Sequence, residues 1–139
     1  MPSSDENTDP QLGDPPSRQI SLRGITSSVS TARQHVRRIL GTGHPSVDDA
    51  ALVASELVTN AVLHSRSGQG GTVRLTVSDT GRVVRVEVTD DGSLFSAPYL
   101  RDEPCAEGGR GLHIVSALCK QWGAYTTPTG RVIWCELAR

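Results

Sequence analysis

An α+β fold, a two-layer sandwich whose mostly antiparallel mixed sheet carries three helices on one face, is what this sequence predicts, on three observations. Val73, Leu75 and Val77, then Val84, Val86 and Val88, alternate with polar residues on either side of Asp79-Thr80-Gly81. That period of two belongs to strands with one buried face joined in a hairpin. Three further stretches place apolar residues at helical spacing. The resulting order, β-α-α-β-β-loop-α-β-β, joins neighbours mostly by hairpins, which gathers the helices on one side of an antiparallel-rich sheet.

Taken in order, residues 1–17 hold Pro2, Pro10, Pro15 and Pro16 among Asp5, Glu6, Asp9 and Asp14, and read as a disordered tail ahead of one domain over 18–139. A strand is expected at Gln19 to Leu22. Ser28 is expected to cap a helix running to about Leu40, stopped by Gly41-Thr42-Gly43. Ser46 caps the next helix, with Asp48 and Asp49 in its first turn, where the helix dipole favours negative charge, and the pattern continues to about His64. Turn formers without a sustained period fill Asp91 to Gly109 and predict a long functional loop, a lid. Leu112, Val115 and Leu118 form the stripe of a last helix ending near Gly123. Tyr125 to Thr127 and Arg131 to Leu137 close the chain as a hairpin.

Bulk composition narrows the function classes. With 139 residues the chain fills one core. Fourteen basic and fifteen acidic residues leave a net charge of -1 without a basic block, which argues against nucleic acid as a partner. Cys105, Cys119 and Cys135 lack CxxC spacing, so neither a disulfide framework nor a zinc site is expected, and a reducing cytoplasm fits. Apolar runs long enough for a membrane span, and the order of a signal peptide, are both missing from the pattern.

Chemistry concentrates in three places. Glu56, Asn60 and His64 stand at i, i+4 and i+8, within roughly 80° of one helix surface. Such a row is either a solvated polar stripe or a set for phosphoryl chemistry, in which the carboxylate accepts a proton from an attacking hydroxyl, the carboxamide ligates Mg²⁺ and the histidine contacts phosphate. Asp90-Asp91-Gly92 ends a strand and is either a plain turn or a site where Asp90 accepts a hydrogen bond from an exocyclic amine. Gly108-Gly109-Arg110-Gly111-Leu112 opens the last helix, as a flexible linker or as backbone N–H groups offered to an anion, with Arg110 adding charge. Its spacing is neither that of the Walker loop nor that of the Rossmann fingerprint.

Glu and Asn on a helix, Asp-x-Gly closing a strand, and a glycine-rich entry to a helix, in that order, resemble the nucleotide-binding boxes of the GHKL ATPase superfamily. The resemblance runs from about residue 18 onward and implies the Bergerat fold. Gly109-Arg110-Gly111-Leu112 and Gln121-Trp122-Gly123 look closest to the stand-alone anti-sigma-factor serine/threonine kinases of actinobacteria. By that resemblance Glu56 is the catalytic base, Asn60 the Mg²⁺ ligand, Asp90 the adenine-reading carboxylate with Gly92 beneath the base, and Gly109 and Gly111 part of the phosphate lid. His64, Arg110 and Leu112 join the nucleotide site. ATP and Mg²⁺ are the implied cofactors, a sigma factor and an anti-anti-sigma STAS-domain protein the partners, and a homodimer the assembly. Two departures stand out: Ser93-Leu94 where many relatives carry a second glycine, and Val132 where relatives carry a threonine of the adenine network.

The leading expectation is thus an ATP-dependent serine/threonine protein kinase that also sequesters a sigma factor. A non-catalytic, nucleotide-gated binding module of the same fold and a plain ATPase are the alternatives. Among the other residues, His35 is expected at the surface of a basic helix with Arg33, Arg37 and Arg38. His44 and His113 have no second ligand at metal spacing, and Trp122 and Trp134 are expected in core or interface positions.

Overall fold

The computed structural model describes residues 17–92 and 109–138. Most of the expected tail and lid, with Ser93-Leu94 and Cys105, lies outside the described residues. Strand β1 spans Ser17–Arg23, helix α1 Ser28–Leu40 and helix α2 Val47–His64, followed by a short 3-10 turn at Arg66–Gly68. Then come β2 at Thr72–Asp79, β3 at Val83–Asp90, helix α3 at Gly109–Leu118, β4 at Gln121–Thr127 and β5 at Gly130–Ala138. One sheet in the order β1-β2-β3-β5-β4 contains all five strands, each pairing antiparallel. This is the α+β architecture the sequence predicts.

Alternation sets the faces. In the ladders Ile20 stands opposite Leu75, Leu75 opposite Val88, and Val88 opposite Ile133. Opposite residues share a face, so these form the helix-covered side. Val73, Leu75, Val77, Val84, Val86, Val88 and Ile133 are fully buried there, against Ala32 and Val36 of α1 and Val53, Leu57, Val58 and Ala61 of α2. The other face is mostly polar and partly exposed, although Val132 on it is buried. On it the Arg85 guanidinium lies 4.5 Å from the centre of the Trp134 ring and pairs with Glu136 at 3.1 Å. Trp122 packs partly buried on the core.

Several local expectations are corrected. Ser28 does not cap α1 but is its first residue; its hydroxyl donates to the Arg23 carbonyl at 2.7 Å and so ties the helix start to the end of β1. Ser46 does occupy the N-cap of α2, yet its hydroxyl donates to the Ala138 carbonyl at 2.9 Å, fixing that helix to the end of β5. His35 is buried at 5% exposure, with Nε2 3.4 Å from the Arg18 carbonyl, because it stands next to Val36 on the face that α1 turns to the sheet. The last helix stops at Leu118 and not near Gly123. There the Lys120 N–H donates to the Glu136 carbonyl at 2.7 Å, and Gln121, Trp122 and Gly123 pair with Glu136, Cys135 and Trp134. A ladder along β5 satisfies those backbone groups and overrides the helical stripe. Cys119 and Cys135 are free thiols in hydrogen-bond contact, and that contact together with burial pushes the Cys135 thiol well up.

Candidate functional site

Helix α2 carries the polar row where the period placed it. Glu56 and His64 are partly buried, and Asn60 between them is 5% exposed. Leu57, Val58 and Ala61, all fully buried, dock the same helix on the sheet, so the row runs along the edge of the packed face. The Asn60 Nδ2 atom is buried and has no hydrogen-bond partner among the described residues. An unpaired buried amide costs about 1–3 kcal/mol, which a fold carries most readily where a ligand will supply the partner. A half-turn exchanges the amide's nitrogen and oxygen, so the same position can present a donor or a metal-ligating oxygen.

Beyond α2 the chain is pinned by two serines, both fully buried. Ser65 donates its hydroxyl to the Ala61 carbonyl at 2.6 Å and accepts the Ser67 N–H at 3.0 Å. Ser67 donates to the Thr72 carbonyl at 2.6 Å and accepts the Asp91 N–H at 2.9 Å.

Asp90 closes β3 on the helix-covered face, in line with Val84, Val86 and Val88, and is 3% exposed. The Gly92 N–H donates to its Oδ1 at 2.8 Å, in a corner that Gly92 turns with a φ of 99°, a region that L side chains avoid. Asp91 is distinguished from its neighbour: it is exposed, and its carboxylate accepts the Thr72 N–H at 3.4 Å. Facing Asp90 across the ladder is Arg131, itself 7% exposed. Val132 pairs with Thr89 on the opposite face of the sheet, so it is not the residue beside the Asp90 side chain. The sequence singles out Val132 but gives no sign of the roles of Arg131, Ser65 and Ser67. A register and a non-local turn decide those three positions, and no spacing in the chain encodes either.

Gly109, Arg110, Gly111 and Leu112 form the first turn of α3, which starts where the glycine-rich segment predicted. Helix α3 packs on α2, so that its N-terminal dipole belongs to the same layer as the Glu56 and Asn60 row. Among the described residues no group of three or more His, Cys, Asp or Glu could hold a metal. A cation here would need ligands from a bound phosphate besides Asn60, the usual manner of Mg²⁺ in phosphoryl-transfer sites. The donor set fits a nucleotide with its metal: an unpaired carboxamide, a nearby carboxylate and a strand-end aspartate.

The model of the histidine kinase-like ATPase domain matches residues 23–136. The chain belongs to this family. All four described segments of the site, the α2 row, the Ser65–Ser67 turn, the Asp90 corner and the start of α3, fall inside the ATPase-domain match. An uncharacterised protein of Streptomyces coelicolor is 36% identical over 87 residues, covering 60% of this chain and 80% of that protein. The serine-protein kinase RsbW of Staphylococcus aureus is 27% identical over 101 residues, covering 63% of this chain and 64% of RsbW. This member of the ATPase family is thus similar in sequence to a serine-protein kinase. Among the described residues no helix is long and apolar enough to cross a membrane.

Proposed function

We propose that this protein is an ATP-binding anti-sigma factor and Mg²⁺-dependent serine/threonine protein kinase, which phosphorylates an anti-anti-sigma STAS-domain protein and acts in the cytoplasm as a homodimer. The observation that carries the reading is the buried Asn60 amide, without a partner among the described residues and one helical turn from Glu56, on a helix packed against the strand that ends at Asp90. The similarity to RsbW supports the choice of a protein substrate over water.

In this reading Glu56 accepts the proton of the acceptor serine or threonine hydroxyl as its oxygen attacks the terminal phosphorus of ATP, and ADP leaves. Asn60 would hold Mg²⁺, whose chemistry is to neutralise charge on the phosphate oxygens. Asp90 would accept a hydrogen bond from the adenine amine, with Gly92 beneath the base. His64, the backbone of Gly109 and Gly111, Arg110 and Leu112 would border the phosphates at the positive end of α3.

Radiolabelled phosphate transfer to the STAS-domain protein tests the assignment. Glu56→Gln is expected to lower kcat by about 10²–10⁴-fold with ADP affinity kept, the range for a lost general base. Asn60→Ala is expected to abolish the Mg²⁺ dependence of nucleotide binding. Unimpaired transfer by both variants would sink the roles. ADP-dependent sigma binding without transfer would instead identify a binding module, and phosphate release without an acceptor a plain ATPase.

A further inference from the structure

The corner that carries Asp90 is held by a turn, Ser65 to Ser67, that lies outside the three segments in which the sequence concentrates its chemistry. Ser67 uses its one hydroxyl twice: O–H to the Thr72 carbonyl at 2.6 Å, and its oxygen to the Asp91 N–H at 2.9 Å. The second bond fixes the plane of the peptide joining Asp90 to Asp91, and the Gly92 N–H one residue later fixes the Asp90 carboxylate at 2.8 Å. Ser65 locks the Ser67 backbone at 3.0 Å and the Ala61 carbonyl of α2 at 2.6 Å. Hydrogen bonds thus run without a gap from the last turns of the helix bearing Glu56 and Asn60 to the end of the strand bearing Asp90.

Close approach of three backbone segments makes the turn possible. A Cβ at Gly24 would collide with the Ser67 carbonyl, and one at Gly71 with the Asp91 carboxylate and the Ser67 backbone. The Gly24 N–H donates to the Gly71 carbonyl at 3.0 Å, and the Gly71 N–H to the Ser67 carbonyl at 2.9 Å. Full burial leaves the Ser67 hydroxyl no water to replace either partner. Such a fixed contact is what a recognition group needs behind it, since an error near 1 Å in a hydrogen-bonding carboxylate removes most of its discrimination.

We infer that Ser67, seated by Ser65, is a positioning residue for base recognition: it sets the Asp90 carboxylate relative to α2 and so determines how strongly the site prefers a base with an exocyclic amine. The inference rests on the proposed role of Asp90 as the reader of that amine.

Calorimetry with Mg²⁺-ADP and Mg²⁺-inosine diphosphate, which lacks the amine, tests it in the full chain. Wild type is expected to prefer ADP by roughly tenfold or more, the worth of one buried hydrogen bond to a charged group. Ser67→Ala is expected to collapse that preference to under about threefold while affinity for inosine diphosphate stays within about twofold. Ser67→Cys, close in volume and a poor hydrogen-bonding group, gives an intermediate ratio and serves if the alanine variant does not fold. Val36→Ala, a core truncation in α1 away from the corner, is expected to lose stability and keep the wild-type ratio. A wild-type ratio in both Ser67 variants overturns the positioning role alone. Equal loss of both nucleotides in the Ser67 variants, or a collapsed ratio in Val36→Ala, also overturns it. No preference in the wild type removes the reading of Asp90 and the inference together.

Discussion

In the proposed reading, Asn60 is a single side chain kept for a ligand at the expense of the empty fold. Among the described residues its amide nitrogen is buried and without a partner, a desolvation cost that a bound nucleotide and metal would offset. Asn60→Leu, similar in volume and apolar, is expected to leave the unliganded Tm equal to wild type or a few degrees higher, while the rise in Tm with Mg²⁺-ADP disappears. Thermal melts with and without ligand check both halves. A lower unliganded Tm would mean that Asn60 is already satisfied within the fold. The position of this residue was legible in advance because i, i+4 spacing fixes a helix face regardless of tertiary context. Its burial was not, because the row lies at the boundary of the apolar arc and neighbouring elements decide how far they close over it.

At the level of elements, local chemistry wrote the strands, the helices and the hairpin around Gly81, whereas long-range pairing wrote the ends. Gln121 to Gly123 sit in a strand because β5 offers them a ladder, and Arg131 faces Asp90 through that same register. His35 is the clearest case: Arg33, Arg37 and Arg38 made its helix look solvated, but only the face toward β1 mattered. Burial chiefly, with Arg38 assisting, lowers its pKa below the ordinary 6.5, against an opposing pull from the Arg18 carbonyl. The folded protein therefore binds that proton less readily than the unfolded chain. Stability is expected to fall as pH drops through 6.5 and to level off below the folded value. Urea midpoints measured between about pH 5 and 8 would show this slope in wild type and a flatter one in His35→Gln. Identical slopes would assign the effect to another group.

For the whole molecule, one layer of helices and one sheet are expected to make a single cooperative unit. Fully buried Ile133 stands between Val88 and Ala124 in the ladders, so Ile133→Ala is expected to cost about 2–5 kcal/mol. Its far-ultraviolet signal and the fluorescence of Trp122 and Trp134 should lose structure at one urea midpoint, since the strand it weakens joins both sides of the sheet. Separate midpoints would divide the molecule into subunits of stability. The place of β5 also orders assembly in time. The β2-β3 hairpin can zip from local contacts and β1, made earlier, can add to its β2 side, but the β3 border stays bare and adhesive until β5, about forty residues downstream and in a local hairpin with β4, inserts beside it. The hazardous interval for misassociation is thus the wait for that insertion, and whatever shelters the rim of β3 in a newborn chain governs its yield.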